Sequence, residues 1–87
     1  MTNIRLSETA KKQLQKLDKP IQRRINAYLN ERLAATSTPK NLATRLTGTL
    51  NELWRFRVGD YRLICDIQDE TITILVLRIA HRKEVYD

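Results

Sequence analysis

The most informative pattern in this chain is the stretch Leu53-Trp-Arg-Phe-Arg-Val-Gly-Asp-Tyr-Arg-Leu-Ile-Cys65. It has the pattern of two strands joined by a two-residue turn, and a glycine in the first turn position suits the tight hairpins whose twist matches that of the strands. With Gly59 and Asp60 as the turn, strand alternation places the apolar side chains on one face. These side chains are Trp54, Phe56, Val58, Tyr61, Leu63 and Cys65.

The other face of this hairpin carries Arg55, Arg57 and Arg62, and the same register sets Arg57 directly opposite Arg62. Like charges that face each other across a sheet destabilise it. The arginines therefore indicate a site for a polyanion. The alternative is a solvated strand face whose charge is neutralised by Asp66 and other nearby acids.

The length and composition predict a single small domain, residues 1–87. No apolar run approaches the length of a membrane span, and the first residues lack the basic-then-apolar layout of a signal peptide. Cys65 is the one cysteine, so it cannot form an internal disulfide. We therefore expect a cytoplasmic protein that does not associate with membranes.

The net charge of +6 lies entirely in the first part of the chain. Residues 1–54 contain ten basic and four acidic residues, whereas residues 55–87 contain six of each. A small basic domain attracts nucleic acid or an acidic protein partner.

Outside the hairpin, the pattern predicts an α+β fold in the order βααβββ, a helical hairpin packed on a small, mainly antiparallel sheet. Ser7 is a good N-cap for the first helix, and Pro20 suits the first turn of the second. A brief helical turn is expected over 42–46. The other predicted elements are a strand at 3–6, helices from Ser7 to Leu17 and from Pro20 to about Ala35, and an inner strand at 71–80.

The tail that follows the last strand brings His81, Arg82 and Tyr86 toward the arginines at the rim of the sheet. Histidine titrates near neutral pH, arginine offers a rigid fork for phosphate oxygens, and tyrosine can stack on a base. Together they suit a ribonuclease without metal or cofactor. The alternatives are a strand-end histidine bonded to backbone and a tyrosine that covers the sheet edge.

The hairpin motif Arg57-Val-Gly-Asp-Tyr-Arg-Leu63 and the ending His81-Arg-Lys-Glu-Val-Tyr86 together resemble the RelE branch of the RelE/ParE toxin superfamily, over nearly the whole chain. The resemblance implies the microbial-RNase-like RelE fold and a toxin of a type II toxin–antitoxin module. It also implies cleavage of messenger RNA in the ribosomal A site, which leaves 2′,3′-cyclic phosphate and 5′-hydroxyl ends. The implied partners are a RelB-like antitoxin, the ribosome with its messenger, and operator DNA only through the toxin–antitoxin complex.

The resemblance also assigns roles to individual residues. Arg55 and Arg57 match the two basic positions that flank the scissile phosphate, and Arg62 matches the arginine that stabilises the transition state. Arg82 matches the arginine regarded as the general acid, and Tyr86 the tyrosine that stacks on the substrate.

Well-studied members carry lysine where this chain has Arg55 and Arg57. Arginine stays protonated, so these two residues are interpreted as electrostatic groups rather than as a base. His81 falls where members carry histidine or a basic residue, and it becomes the candidate for proton transfer.

Two other functions stay open at this point. One is a ParE-like poison of DNA gyrase, which shares the fold. The other is an inactive toxin-like module that pairs with an antitoxin in transcriptional autoregulation.

Overall fold

The computed structural model describes residues 2–46 and 52–84, in which two helices pack on one face of a five-stranded mixed sheet. The helical elements are α1 (Glu8–Gln15), α2 (Lys19–Ala27), a π-helix (Tyr28–Leu33) that continues α2, and short 3-10 helices at Pro39–Leu42 and Arg82–Glu84. The strands are β1 (Asn3–Leu6), β2 (Thr44–Arg45), β3 (Trp54–Val58), β4 (Tyr61–Gln68) and β5 (Thr73–His81). The predicted α+β fold, a helical hairpin on a mainly antiparallel sheet, is confirmed.

The strand order is β1-β5-β4-β3-β2, with β1 parallel to β5 and the other pairs antiparallel. The prediction of four strands missed β2, and the helical turn expected over 42–46 is wrong. Thr44 and Arg45 instead pair with β3, and the Leu46 N–H donates to the Leu53 carbonyl at 2.9 Å. A strand of two residues is too short to show an alternating pattern in the sequence. Its extended conformation depends on pairing with the partner strand.

The hairpin has the predicted register, with Val58 opposite Tyr61 and Phe56 opposite Leu63. Gly59 has a φ of +58° and is followed by an ordinary negative-φ residue, the pattern of a type II′ turn. The turn also lies against α2, because a Cβ at Gly59 would lie 2.8 Å from Nη1 of Arg24. The positive φ therefore favours glycine here, whereas the Arg24 guanidinium is the far end of a flexible, exposed side chain and can shift to admit a Cβ.

The core lies between the helices and the sheet. Phe56, from the apolar face of the hairpin, is fully buried there, and its ring meets the edge of Tyr28 at 6.4 Å between centroids. Burial raises the pKa of the Cys65 thiol, so this side chain behaves as a small neutral core residue. The other buried core residues are Ala10, Ile25, Leu29, Leu33, Val58, Leu63, Ile74, Val76 and Ile79.

Polar side chains attach α1 to β5. The Ser7 hydroxyl caps α1 by accepting the Ala10 N–H at 3.0 Å, as predicted, and it donates to the Leu77 carbonyl at 2.8 Å. The Ile79 N–H donates to Oε1 of Gln13 at 2.7 Å. β4 has a register shift between Ile64 and Cys65, where it pairs with the part of β5 that contains Leu77 and Ile79. The hydrogen bonds with Ser7 and Gln13 fix the second half of β5 against α1.

The Gly59→Ala variant is expected to lower the free energy of unfolding by about 1–2 kcal/mol, since an L-residue is disfavoured at positive φ. Urea denaturation measures this change. The double variant Arg24→Ala, Gly59→Ala should recover only that part of the lost free energy of unfolding that comes from collision with Arg24. An unchanged urea midpoint in G59A would show that the turn tolerates a side chain.

Candidate functional site

The sheet face away from the helices carries four arginines, which we call the arginine face: Arg55, Arg57, Arg62 and Arg78. Arg57 lies directly opposite Arg62, and Ile64 pairs with both Arg55 and Arg78 on its two sides. Arg62 is therefore the centre, with Arg57 beside it and the other two at diagonal positions about 7–8 Å away in Cα spacing. The sequence pattern does not assign Arg78 to either face of the sheet, because its strand is apolar on both sides.

Burial differs sharply within the arginine face. Arg62 is only 6% exposed, whereas Arg57 and Arg78 are exposed and Arg55 is half-buried. Nη1 of Arg62 donates to the Gly59 carbonyl at 3.5 Å. A guanidinium removed from water is costly unless an opposite charge or hydrogen bonds compensate it. Within residues 2–46 and 52–84 no carboxylate forms an ion pair with Arg62 or Arg57, so an anionic ligand would be favoured here.

Arg82 is held next to the hairpin turn. Its N–H donates to the Asp60 carbonyl at 2.7 Å, and its Nη1 lies 3.7 Å from Oδ1 of Asp60. Both side chains are about 60% exposed (59% and 61%), and such surface pairs contribute at most about 1 kcal/mol. An anionic ligand can therefore compete with Asp60 for the Arg82 guanidinium.

His81 lies on the opposite side of the sheet from Arg62. It pairs with Tyr61, whose side chain packs against the core, and the two rings meet edge to face at 5.3 Å between centroids. Its Nδ1 accepts the Lys83 N–H at 3.2 Å, which leaves Nε2 as the protonated nitrogen of the neutral ring. The structure does not bring His81 together with the arginine face, so its proposed part in proton transfer stays a prediction without geometric support.

Tyr86 lies outside the described residues, and its stacking role stays a prediction. The site that the structure assembles thus consists of Arg55, Arg57 and Arg62, joined by Arg78 and with Arg82 at the turn. Arginines remain protonated throughout the physiological range. Such a cluster can bind a phosphodiester and stabilise negative charge that develops on it.

The helical hairpin on a mixed sheet matches the fold of chains solved in toxin–antitoxin complexes. The chain belongs to the family of ParE toxins of type II toxin–antitoxin systems (parDE), whose model matches residues 4–86. The RelE/ParE membership predicted from the hairpin and the tail is confirmed. Within the described residues no helix is long and apolar enough to cross a membrane.

Individual relatives agree with this assignment. The toxin RelG of Mycobacterium tuberculosis is 32% identical over 85 residues, which cover 95% of this chain and 93% of RelG. The toxin–antitoxin complex RelBE2 of the same organism matches with a TM-score of 0.83 and 30% identity, over 93% of this chain and 98% of that one. The archaeal RelE–RelB complex of Pyrococcus horikoshii OT3 matches with a TM-score of 0.76 and 26% identity, over 97% of this chain and 98% of that one.

Proposed function

We propose that this toxin is a ribosome-dependent endoribonuclease that acts in the cytoplasm, cutting messenger RNA in the A site and so inhibiting translation. The observation that carries the proposal is the buried guanidinium of Arg62 at the centre of the arginine face. A cation fixed in a dry position before the substrate arrives needs no reorganisation when charge develops in the transition state. Such a fixed cation can stabilise the developing charge of a phosphodiester that is cleaved without a metal.

The reaction joins the 2′-oxygen of the RNA to phosphorus and releases the 5′-oxygen. It leaves a 2′,3′-cyclic phosphate and a 5′-hydroxyl end. In the proposal Arg55 and Arg57 hold the non-bridging oxygens, and Arg62 stabilises the additional negative charge of the phosphorane. Arg82, held at the turn, gives a proton to the departing 5′-alkoxide, a stronger base than neutral arginine. None of these arginines takes the 2′-proton, because each is protonated when the reaction begins. In the proposal that proton passes to water, and water returns a proton to Arg82 after the 5′-hydroxyl has formed.

The proposed protein partner is a RelB-like antitoxin, which is supported by the RelE–RelB composition of the Pyrococcus complex. An acidic, extended segment would neutralise the arginine face directly. Operator DNA would be bound through that complex rather than by the toxin alone. The ribosome and its messenger are the proposed target.

A ParE-like action on DNA gyrase is a second candidate, because the matching family model is that of the ParE toxin. Primer extension on messenger RNA from translating ribosomes, and gyrase supercoiling in parallel, separate the two after induced expression. Cuts at A-site codons with 5′-hydroxyl ends support the proposed ribonuclease. Trapped gyrase with intact messenger supports the second candidate. Normal growth with neither product would identify a non-catalytic module.

A further inference from the structure

A second group of cations lies beside the hairpin where β3 meets α2, and it shares Arg57 with the arginine face. A cleft of about 340 Å³ opens between α2, its π-helical continuation and β3. Arg24, Arg32 and Arg57 line it, with Glu31 as the one acidic side chain among its lining residues. We call it the basic cleft. Its charge favours an anion, since three guanidinium groups converge against one carboxylate.

The helix is arranged to place these cations together. Arg24, Tyr28 and Arg32 follow at intervals of four residues, so they share one side of α2 and its continuation. The positive charge of Arg32 lies near Tyr28 and acts to lower the pKa of the phenol. Burial nevertheless raises the Tyr28 pKa, so the phenol keeps its proton at neutral pH. Tyr28 is one of the residues that line the cleft, and a phenol can donate a hydrogen bond to an anionic oxygen.

Gly59 joins the basic cleft to the arginine face. On the helix side, the Arg24 guanidinium occupies the space that a Cβ of residue 59 would need. On the other side, the Gly59 carbonyl accepts from Arg62 at 3.5 Å. Arg57 completes the connection, because it lines the cleft and also lies opposite Arg62. A continuous positive path therefore crosses the turn, with no side chain on Gly59 to obstruct it.

Among the described residues, no partner strand covers the edge of β3 beside this path. The pairing of β2 with β3 covers Trp54 and Arg55 and ends there. Between Arg57 and Gly59, no strand from the described ranges 2–46 and 52–84 lies on that side of β3. An extended chain that leaves the arginine face can thus pass the turn and enter the cleft.

We propose that the basic cleft is a second phosphate site for the RNA strand whose scissile phosphate lies on the arginine face. Arg24 and Arg32 bind a neighbouring phosphate of that strand, and the Tyr28 hydroxyl adds a hydrogen bond. The inference rests on the proposed ribonuclease function. RNA is favoured over an acidic protein because Arg57 lines the cleft and also belongs to the site for the reacting phosphate.

Arg23 provides a matched control, since it is an exposed arginine of α2 that immediately precedes Arg24 and does not line the cleft. The probe is a short single-stranded oligoribonucleotide whose 2′-O-methyl groups prevent cleavage, and anisotropy measures its affinity at several salt concentrations. Arg24→Gln and Arg32→Gln should each weaken binding about tenfold, as expected for a lost charge-assisted hydrogen bond. Each should also reduce the salt slope by about 0.7.

Arg23→Gln removes the same charge and should leave affinity within about threefold of the parent chain, the size of a general surface-charge effect. Equal losses in Arg23→Gln and Arg24→Gln would overturn the proposal. A poly-glutamate peptide is the competing ligand. If Arg24→Gln weakens binding of that peptide but not of the oligonucleotide, the cleft is a protein site and the proposal is also overturned. Arg24→Lys keeps the charge and should restore most of the salt slope.

Cleavage kinetics separate this proposal from the function on which it rests. With RNA cleavage by the parent chain established, Arg24→Gln should raise KM about tenfold and change kcat by less than about twofold, the behaviour of a group that binds ground state and transition state equally. A fall in kcat with unchanged KM would contradict the assignment. If the parent chain cleaves no RNA, the ribonuclease proposal fails, while the anisotropy series still decides whether the cleft binds a nucleic-acid strand.

Discussion

Arg62→Ala is expected to reduce kcat for RNA cleavage by a factor of about 10²–10³, the usual loss when a preorganised group that stabilises developing charge is removed. Arg62 is 6% exposed and lies between Arg57 and Ala80 on the uncovered face. Water that enters the space left by the side chain cannot supply a fixed positive charge. Induced expression of the variant should then no longer inhibit growth.

Three companion variants make this result interpretable. Arg62→Lys keeps the charge but loses the planar fork, so its activity should lie between those of the parent and the alanine variant. Arg5→Ala removes an exposed arginine of β1, at the far edge of the sheet from β3, and should leave cleavage unchanged. Arg82→Ala should also abolish toxicity if Arg82 protonates the leaving group. Full toxicity of both Arg62→Ala and Arg82→Ala would show that the reaction takes place elsewhere.

Because a buried guanidinium also contributes to packing, the folded fraction must be measured beside activity. Far-UV circular dichroism and urea denaturation of Arg62→Ala provide this measurement. If Arg62→Ala unfolds cooperatively with the m-value of the parent chain, the variant is folded and its loss of activity results from the change in the site.

Phe56→Ala is expected to lower the free energy of unfolding by about 3–5 kcal/mol, the range for removing a buried phenylalanine ring. The side chain is fully buried, and its neighbours include Tyr28 and the opposite residue Leu63. Small domains are stable by only about 5–15 kcal/mol, so this variant should be near the limit of folding. Urea denaturation at equilibrium measures the change.

The size of the substituent provides a graded control. Phe56→Leu retains much of the buried area and should cost clearly less than the alanine variant. Ile72 is a large apolar residue that is 55% exposed, so Ile72→Ala removes little buried area and should cost far less than Phe56→Ala. Equal urea midpoints for Phe56→Ala and Phe56→Leu would show that the ring does not fill the core as described.

The features that local sequence specifies were predicted correctly. The two-residue turn at Gly59 sets the register of the whole hairpin, because every later pair follows from the first. Ser7 caps α1 for an equally local reason, since its hydroxyl reaches an N–H only three residues away.

The second helix was expected to continue to about Ala35. It instead changes to a π-helix over Tyr28–Leu33, with the Ala34 N–H bonded to the Leu29 carbonyl.

The predictions that failed or stayed undecided depend on distant parts of the chain. β2 is extended only because β3 lies beside it. The face of His81 follows from its pairing with Tyr61, twenty residues earlier in the sequence, and not from its place in the tail motif. The proximity of Arg24 to Gly59 has no local sign, because a helix and a hairpin far apart in sequence meet there.

Local sequence patterns were sufficient to predict the two strands of the hairpin, the side of each that carries arginine, and the family to which the chain belongs. Alternation and turn chemistry act over a few residues, so they can be read without a fold. The tertiary structure alone decided that Arg62 is buried, that Arg78 joins it, that His81 faces away, and that α2 adds a basic cleft beside the turn. Burial and proximity result from the packing of separate elements, and it is this packing that makes Arg62 the buried central cation of the arginine face.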